Sequence, residues 1–321
     1  MKRETEPTGE WHKDLVEKLA SDALVERRRS RRWGIFFKLL TFAYLIVLLV
    51  LLMPDQWPDM AEESDEHTAL VEINGVIAPG AEASADNVVT GLRDAYEDDK
   101  TKGLILRINS PGGSPVQAGY INDEIRRLRE KHPDIPVYAV VVDVCASGGY
   151  YIAAAADEIY ADKASIVGSI GVRMDGFGFV DAMDELGVER RLLTAGENKA
   201  ILDPFSPLRE SDEAHVQGLL DEIHQQFIEV VREGRGERLI GPDEKVFSGL
   251  FWTGEQGMEL GLIDGFGSSS YVARELIGAE EIVDFTPDED LLERLSKRLG
   301  AGIGTAFGRV LGLEVAGPLL R

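Results

Sequence analysis

The chain has 321 residues, with 34 lysines and arginines against 57 aspartates and glutamates, and its formal net charge is −23. This acidic balance argues against a nucleic-acid-binding protein, because phosphate binding needs a basic surface. The single cysteine excludes a disulfide framework, and a composition that is 44% hydrophobic and 28% charged excludes disorder throughout.

The amino-terminal part of the chain predicts a membrane anchor. Residues 1–33 form a polar stub with a basic end, and residues 34–53 form an apolar run interrupted only by Lys38. Lys38 lies one turn from the basic end and can snorkel towards it. A run of this length spans about 30 Å as a helix, which is about one hydrocarbon core. Because the run is long and no small-x-small cleavage site follows promptly, a permanent anchor is favoured over a cleaved signal peptide.

The charges around this run predict its orientation and the division of the chain. By the positive-inside rule the amino end stays in the cytoplasm and the chain after the anchor is exported. Residues 54–67 form an acidic linker, residues 68–287 the expected globular domain, and residues 288–321 a Leu/Gly-rich tail. We therefore expect a single-pass protein of the bacterial cytoplasmic membrane, with its acidic domain on the periplasmic or extracellular side.

Within the expected domain, strand-like apolar runs alternate with helical periodicity. The apolar run at 137–144 is typical of a parallel strand that is buried on both faces. Alternation of this kind predicts an α/β fold with ligands at the carboxyl ends of the strands. The predicted strands cover 69–77, 103–108, 137–144, 158–161 and 166–172, and the predicted helices cover 84–97, 116–131, 150–156 and 211–233.

Two loops at predicted strand ends could carry chemistry. In the segment 109–113, paired glycines let backbone N–H groups approach a ligand. In the segment 146–149, Ser147 sits at a strand-to-helix turn, where free N–H groups favour an oxyanion. From these local features two interpretations stay open: Ser147 caps the helix, which is a common position for serine, or it is a nucleophile. Cys145, two residues earlier, is expected to be a small buried hydrophobe.

A nucleophilic serine needs a base, and the histidines do not supply an obvious one. His215 and His224 lie on the long charged helix, where we expect both to be solvated. A lysine can act as the base if burial lowers its pKa. Lys199 has mostly apolar neighbours, although a lone lysine in such a run is more often a surface residue. No HExxH and no GxxxxGK[ST] pattern occurs, so we expect neither a metal nor a nucleotide cofactor.

Five segments resemble, in order and spacing, the bacterial signal peptide peptidase A family of serine peptidases, family S49. The resemblance covers about residues 68–280, and the single anchor is similar to that of the short, single-domain form. It implies a ClpP/crotonase-like fold behind an amino-terminal transmembrane helix. The segments are 109–113, 146–153, 167–172, 194–199 and 203–207.

The same resemblance implies a Ser/Lys dyad and no cofactor. Ser147 would attack the peptide carbonyl and Lys199 would take its proton, while the backbone N–H groups of Gly113 and Gly148 hold the oxyanion. Ser169 would orient the lysine amine. The substrates would be signal-peptide remnants and other apolar peptides beside the membrane lipid. Neighbouring subunits of a ring-like homo-oligomer would share their dyads.

Two other functions stay open. A crotonase-like enzyme acting on acyl thioesters would share the fold and the oxyanion site, but its coenzyme would be cytosolic while this domain is expected to be exported. A catalytically silent membrane scaffold would keep the fold for assembly. The presence of both Ser147 and Lys199 weighs against a silent protein.

Overall fold

The structure is a computed structural model that describes Arg29, residues 31–47 and residues 66–287. Most of the predicted stub and linker, residues 48–53 of the predicted anchor and the whole predicted tail lie outside the described residues. The chain divides into two compact units, residues 1–63 and residues 64–321. In the first unit residues 31–47 form a helix, α1. Among the described residues, no helix combines the length and the apolar character needed to cross a membrane.

The second unit contains the strands and helices of the predicted domain. Strands and helices alternate along its first half, as the sequence predicts, and shorter elements follow the long helix at Glu210–Arg235. Two non-α helices are a 3-10 turn at Gly236–Arg238 and a π-helix at Val272–Ile277. The strands are β1 (His67–Asn74), β2 (Thr101–Ser110), β3 (Val137–Ala146), β4 (Glu158–Ala161), β5 (Ile166–Gly168), β6 (Phe251–Thr253), β7 (Gly265–Phe266) and β8 (Ile282–Asp284). The helices are α2 (Ala85–Glu97), α3 (Pro115–Lys131), α4 (Gly148–Ala153), α5 (Val180–Leu186), α6 (Glu210–Arg235), α7 (Asp243–Val246), α8 (Gly254–Leu260) and α9 (Ser269–Tyr271).

The strands form one sheet whose main order is β6-β5-β3-β2-β1-β8. β4 pairs with the first half of β3, while β5 pairs with its last three residues. β4 also pairs with β7. All these pairs are parallel except that between β5 and β6. The carboxyl ends of β2, β3 and β5 therefore lie side by side, and the segments that follow them meet at one edge. The prediction of a mixed α/β fold is confirmed.

The central strands are buried on both faces, as predicted for β3 over residues 137–141, but Val142 and Asp143 near the end of the predicted run are exposed. In β3, Val137, Ala139 and Val141 belong to the larger apolar core, while Val140 belongs to a smaller core on the other face. Because side chains alternate across a strand, both faces of such a strand need apolar residues. This burial fixes the positions of the strand ends that carry the candidate site.

Two predicted strands are too long: the strand predicted over 69–77 ends at Asn74, and the strand predicted over 166–172 also ends early. The apolar pattern predicts a strand over 166–172, but β5 ends at Gly168. The next residue, Ser169, has a φ of 52°, a left-handed conformation that cannot continue a strand. The chain therefore turns out of the sheet at Ser169, and the apolar residues beyond it lie outside the strand.

Helix α6 contacts the core through its carboxyl-terminal half. Phe227 and Val231 are buried, and Phe227 packs on Tyr151 with ring centroids 5.1 Å apart. Gly234 allows a close approach, because a Cβ built on it would lie 1.9 Å from the Ala154 carbonyl oxygen. The carboxyl-terminal half of α6 is thus held firmly against α4 and the segment that follows it.

A buried ion pair fixes the end of this helix. The Arg235 guanidinium donates to both carboxylate oxygens of Asp264 at 2.6 and 2.9 Å and to the Gly261 carbonyl at 2.8 Å. Asp264 also accepts the Ile159 N–H at 2.7 Å. Burial alone would raise the pKa of Asp264, but the hydrogen bonds and charge of Arg235 outweigh it and lower the pKa below its usual 3.8.

We predict that Asp264→Asn destabilises the domain by about 3–5 kcal/mol, because it leaves the Arg235 charge buried without a counter-charge. Since the folded-state pKa of Asp264 is depressed, its contribution is present above the usual carboxyl pKa and is lost as the pH falls below it. The free energy of unfolding of the variant should therefore fall less than that of the wild type when the pH is lowered. Denaturant unfolding of the purified full chain at neutral and acidic pH measures both effects.

Asp243→Asn is the matched control. Its pair with Arg232 is exposed on both sides, so we expect a change below about 1 kcal/mol. Equal losses in the two variants would contradict a special role for the buried pair.

Candidate active site

Ser147 lies at the turn from β3 into α4, in a conformation that is rare for a non-glycine residue. Its φ is 52° and its ψ is −121°. Its N–H donates to the Gly168 carbonyl at 2.9 Å, and its own carbonyl accepts the Tyr151 N–H at 2.9 Å. Such backbone strain costs about 1–3 kcal/mol and persists only where the surroundings enforce it. It is typical of functional sites.

The capping interpretation of Ser147 finds no support in the contacts. Ser147 occupies the N-cap position of α4, but its side chain makes no capping hydrogen bond. By contrast, the side chains of Ser84 and Ser114 cap α2 and α3. The Ser147 side chain instead lines a cavity.

The glycine loop after β2 packs directly against the Ser147 turn. Gly112 has a φ of 97°, and a Cβ built on it would lie 2.7 Å from the Gly148 nitrogen and 2.8 Å from the Ser147 Cβ. Gly113 has a φ of 154°, and a Cβ on it would lie 2.1 Å from the Ile77 carbonyl oxygen. Only glycine permits this contact, because both the conformation and the space exclude a side chain.

This contact brings two backbone N–H groups close to Ser147. A Cβ built on Gly148 would lie 3.3 Å from the Gly113 nitrogen, so the two glycines are neighbours. The hydrogen bonds of residues 66–287 include none donated by the N–H of Gly113 or of Gly148. Two unpaired N–H donors beside a serine can stabilise a negatively charged oxygen.

Ser169 lines the same cavity. Like Ser147 it has a φ of 52°, and its N–H donates to the Leu250 carbonyl at 2.8 Å. The cavity has a volume of about 810 Å³. Four of the five predicted site residues line it: Gly113, Ser147, Gly148 and Ser169.

Lys199, the fifth predicted site residue, is not among the residues that line this cavity in the single chain. Its side chain is exposed, and its N–H bonds to the Gly196 carbonyl at 3.2 Å. It belongs to a connecting arm, residues 172–209, between the segment after β5 and helix α6. The assignment of Lys199 as the base for the Ser147 of a neighbouring subunit stays a prediction.

The connecting arm exposes an unusual amount of apolar surface. Its helix α5 has no buried residue, and the Leu193 side chain is 98% exposed. Asp203 accepts hydrogen bonds from the Ser206 hydroxyl at 2.6 Å and from Arg190 at 3.0 Å, which lower its pKa. The other exposed large apolar residues of the arm are Met174, Phe177, Phe179, Leu186, Val188, Leu192, Leu202, Phe205 and Leu208.

His224 is a site residue that the sequence prediction missed. The expectation of a solvated side chain is wrong, because His224 is half-buried, lines the Ser147 cavity and lies with Nε2 3.1 Å from the Ile170 carbonyl oxygen. His215, nine residues earlier, is exposed as expected. The sequence pattern that indicates this position is the helical spacing of His224 with apolar residues of α6. That spacing places it on the core-facing side of the helix, together with Leu220, Phe227 and Val231.

Cys145 behaves as a buried small side chain, as predicted. It is completely inaccessible, and burial raises the pKa of its thiol. It therefore does not take part in the chemistry of the cavity.

A strained serine, two unpaired N–H donors and an open cavity at strand ends define the site of a serine hydrolase. A family model described as peptidase family S49 matches residues 129–282. A Methanocaldococcus jannaschii protein named as a protease is 34% identical over 245 residues, covering 74% of this chain and 78% of that protein. An Enterococcus faecium protein named as a signal peptide peptidase is 30% identical over 231 residues, covering 70% of this chain and 66% of that protein.

A longer relative is also similar. A Brucella abortus protein named as a Na⁺/H⁺ antiporter is 41% identical over 256 residues, which cover 78% of this chain and 34% of that protein. The chain thus spans about a third of the length of that relative. The chain belongs to peptidase family S49, and the predicted family and serine-protease class are confirmed.

We predict that Gly112→Ala lowers the rate at which a fluorophosphonate probe modifies Ser147 by at least about 100-fold, because the new Cβ displaces the Gly148 amide and misplaces the oxyanion donors. Mass spectrometry of the labelled peptide measures this rate. Gly119→Ala on α3 is the control, since a Cβ there meets nothing within 4 Å. Unchanged labelling of Gly112→Ala would contradict the assigned donor geometry.

Proposed function

We propose that the protein is a membrane-anchored serine endopeptidase with a ClpP/crotonase-like fold and a Ser147/Lys199 dyad. Its substrates are signal-peptide remnants and other apolar peptides. The observation that carries the proposal is the Ser147 turn, which is strained, makes no capping bond and lies beside the unpaired N–H groups of Gly113 and Gly148. Membership of family S49 supports the same reaction.

The proposed reaction proceeds through an acyl-enzyme. The Ser147 Oγ attacks the peptide carbonyl carbon while the neutral Lys199 Nζ takes the hydroxyl proton. The N–H groups of Gly113 and Gly148 bind the resulting oxyanion. The lysine then gives the proton to the leaving amine, and a water activated by the same amine hydrolyses the ester. Ser169 hydrogen-bonds to the amine and aims it.

The lysine has to be uncharged for this step, which requires an apolar environment. Moving a lysine pKa from about 10.4 to between 7 and 8 costs about 4 kcal/mol of ammonium stabilisation. The exposed Lys199 of a single chain has no such environment. We therefore propose that Lys199 enters the Ser147 cavity of a neighbouring subunit, where removal from water favours the uncharged amine.

The apolar surface of the connecting arm supports this assembly. Ten large apolar side chains on the arm are exposed in the single chain, and surface of this kind typically marks an interface. In the proposed ring-like homo-oligomer, each arm packs on the next subunit and delivers its lysine there. Assembly is then a condition of activity.

The lining of the Ser147 cavity supports an apolar substrate. Pro115 and Ala118 of α3, Tyr151 of α4 and Phe227 of α6 contribute to one side of it. These residues suit an apolar side chain of an extended peptide. The cavity lining does not include a basic cluster of the kind that a nucleic acid would need.

We propose that the domain works on the periplasmic or extracellular side of the cytoplasmic membrane. The basic end of the stub and the apolar run 34–53 support a single span with the amino end inside. An anchored domain of this kind would act on peptides released from the membrane lipid.

We predict that Ser147→Ala and Lys199→Ala each lower the hydrolysis of an apolar fluorogenic peptide at least about 1,000-fold, because nucleophile and base act as one unit. The assay uses the full chain in detergent or lipid, with size-exclusion chromatography to check the assembly. Lys163→Ala is the matched control, since Lys163 is also an exposed lysine but lies over the Phe266 ring. Full activity in either dyad variant would rule out the mechanism, and a wild type without hydrolysis would favour the silent scaffold.

A second prediction tests the sharing of sites. Mixing the Ser147→Ala and Lys199→Ala proteins under conditions of subunit exchange should restore up to about a quarter of the wild-type activity per site, because some cavities then combine an intact serine with a neighbour's intact lysine. The peptide assay measures the recovery, and Ser147→Ala mixed with itself is the control. No recovery after demonstrated exchange would place both dyad residues in one subunit.

A further inference from the structure

We infer that His224 is a positioning residue of the active site, which holds the Ile170 carbonyl and thereby fixes the conformation of Ser169. The contact between His224 and Ile170 is a feature of the fold. Its consequence for catalysis rests on the proposed function, in which Ser169 aims the lysine amine.

The hydrogen bond has only one possible direction. The Nε2 of His224 lies 3.1 Å from the Ile170 carbonyl oxygen, and a carbonyl oxygen can only accept. Nε2 therefore carries a proton in both the neutral and the charged imidazole, and the contact persists in either state. Because Nε2 is occupied in this way, it does not take the proton of Ser147.

The segment 168–170 needs such support. Ser169 has a φ of 52°, which costs about 1–3 kcal/mol and must be enforced from outside. The Gly168 carbonyl accepts the Ser147 N–H, and the Ser169 N–H donates to Leu250. The His224 contact adds to these bonds and to the pairing of Gly168 in the sheet. Within residues 66–287 it is the one side-chain hydrogen bond to this segment, so a side-chain substitution can remove it without changing the backbone donors and acceptors.

The helix that carries His224 is well placed to impose this geometry. One turn further along α6, Phe227 packs on Tyr151, and at the end of the helix Arg235 is paired with Asp264. Towards its amino end, α6 continues directly from the connecting arm that carries Lys199. His224 thus joins the helix that follows this chain's arm to the segment that, in the proposed function, orients the lysine of a neighbouring subunit.

The first test separates the hydrogen bond from the packing of the ring. His224→Phe keeps an aromatic ring but removes the donor, whereas His224→Gln keeps an N–H donor. We expect His224→Phe to lower kcat for the apolar peptide about 10-fold with KM within about twofold, and His224→Gln to recover most of kcat. If His224→Phe does not fold, His224→Leu takes its place. His215→Phe, at an exposed position of the same helix, should leave kcat and KM unchanged.

The second test asks whether His224 acts through Ser169. We expect the double variant Ser169→Ala/His224→Phe to have the kcat of Ser169→Ala alone, because the positioned hydroxyl is already absent. A further 10-fold loss in the double variant would overturn the inference. So would a wild-type kcat in His224→Phe, or failure of His224→Gln to recover kcat.

These outcomes are distinct from failure of the proposed function. If Ser147→Ala and Lys199→Ala are inactive while His224→Phe has a wild-type kcat, only the inference on His224 is overturned. If Lys199→Ala keeps full activity while His224→Phe is inactive, His224 is the base, and both the dyad and the positioning role are overturned.

Discussion

The close backbone contact between the glycine loop and the Ser147 turn is the constraint on which the site depends. It exists because β2 and β3 are adjacent parallel strands, so that the segments after them meet at one edge. It also exists because Gly112 and Gly113 have no side chain to hold the segments apart. The strain at Ser147 and the unpaired N–H groups both follow from it. The nucleophile turn and the oxyanion donors of the site are therefore built from backbone geometry, to which the Ser147 side chain is added.

Much of this arrangement can be predicted from the sequence. The continuous apolar run of β3 predicts a strand buried on both faces, and alternating strands and helices predict the parallel order. Once Ser147 and the paired glycines are placed at the ends of neighbouring strands, their proximity follows from the fold class alone. Four of the five predicted site residues accordingly lie around one cavity. Local periodicity and glycine positions carry this information.

The remaining features depend on tertiary contacts that no local pattern encodes. β6, β7 and β8 have only two or three residues each, too few to show a periodicity. β5 ends early because hydrogen bonds from distant segments hold Ser169 in a left-handed conformation, although the following residues are apolar. His224 lies in a charged helix and was assigned to solvent, but the fold turns its face towards the cavity. Lys199 is exposed in the described chain, and the apolar environment proposed for it would come from a neighbouring subunit, which no pattern within one sequence describes.

The burial of Cys145 has a practical consequence. It is the sole cysteine of the chain, its side chain is completely enclosed beneath the sheet edge, and its raised pKa keeps it as an unreactive thiol. The natural sequence is therefore suited to site-directed spin or fluorophore labelling without prior removal of a background thiol. A cysteine introduced on the exposed arm would be the only site that a maleimide reaches, so that distances between the arms of the proposed oligomer become directly measurable.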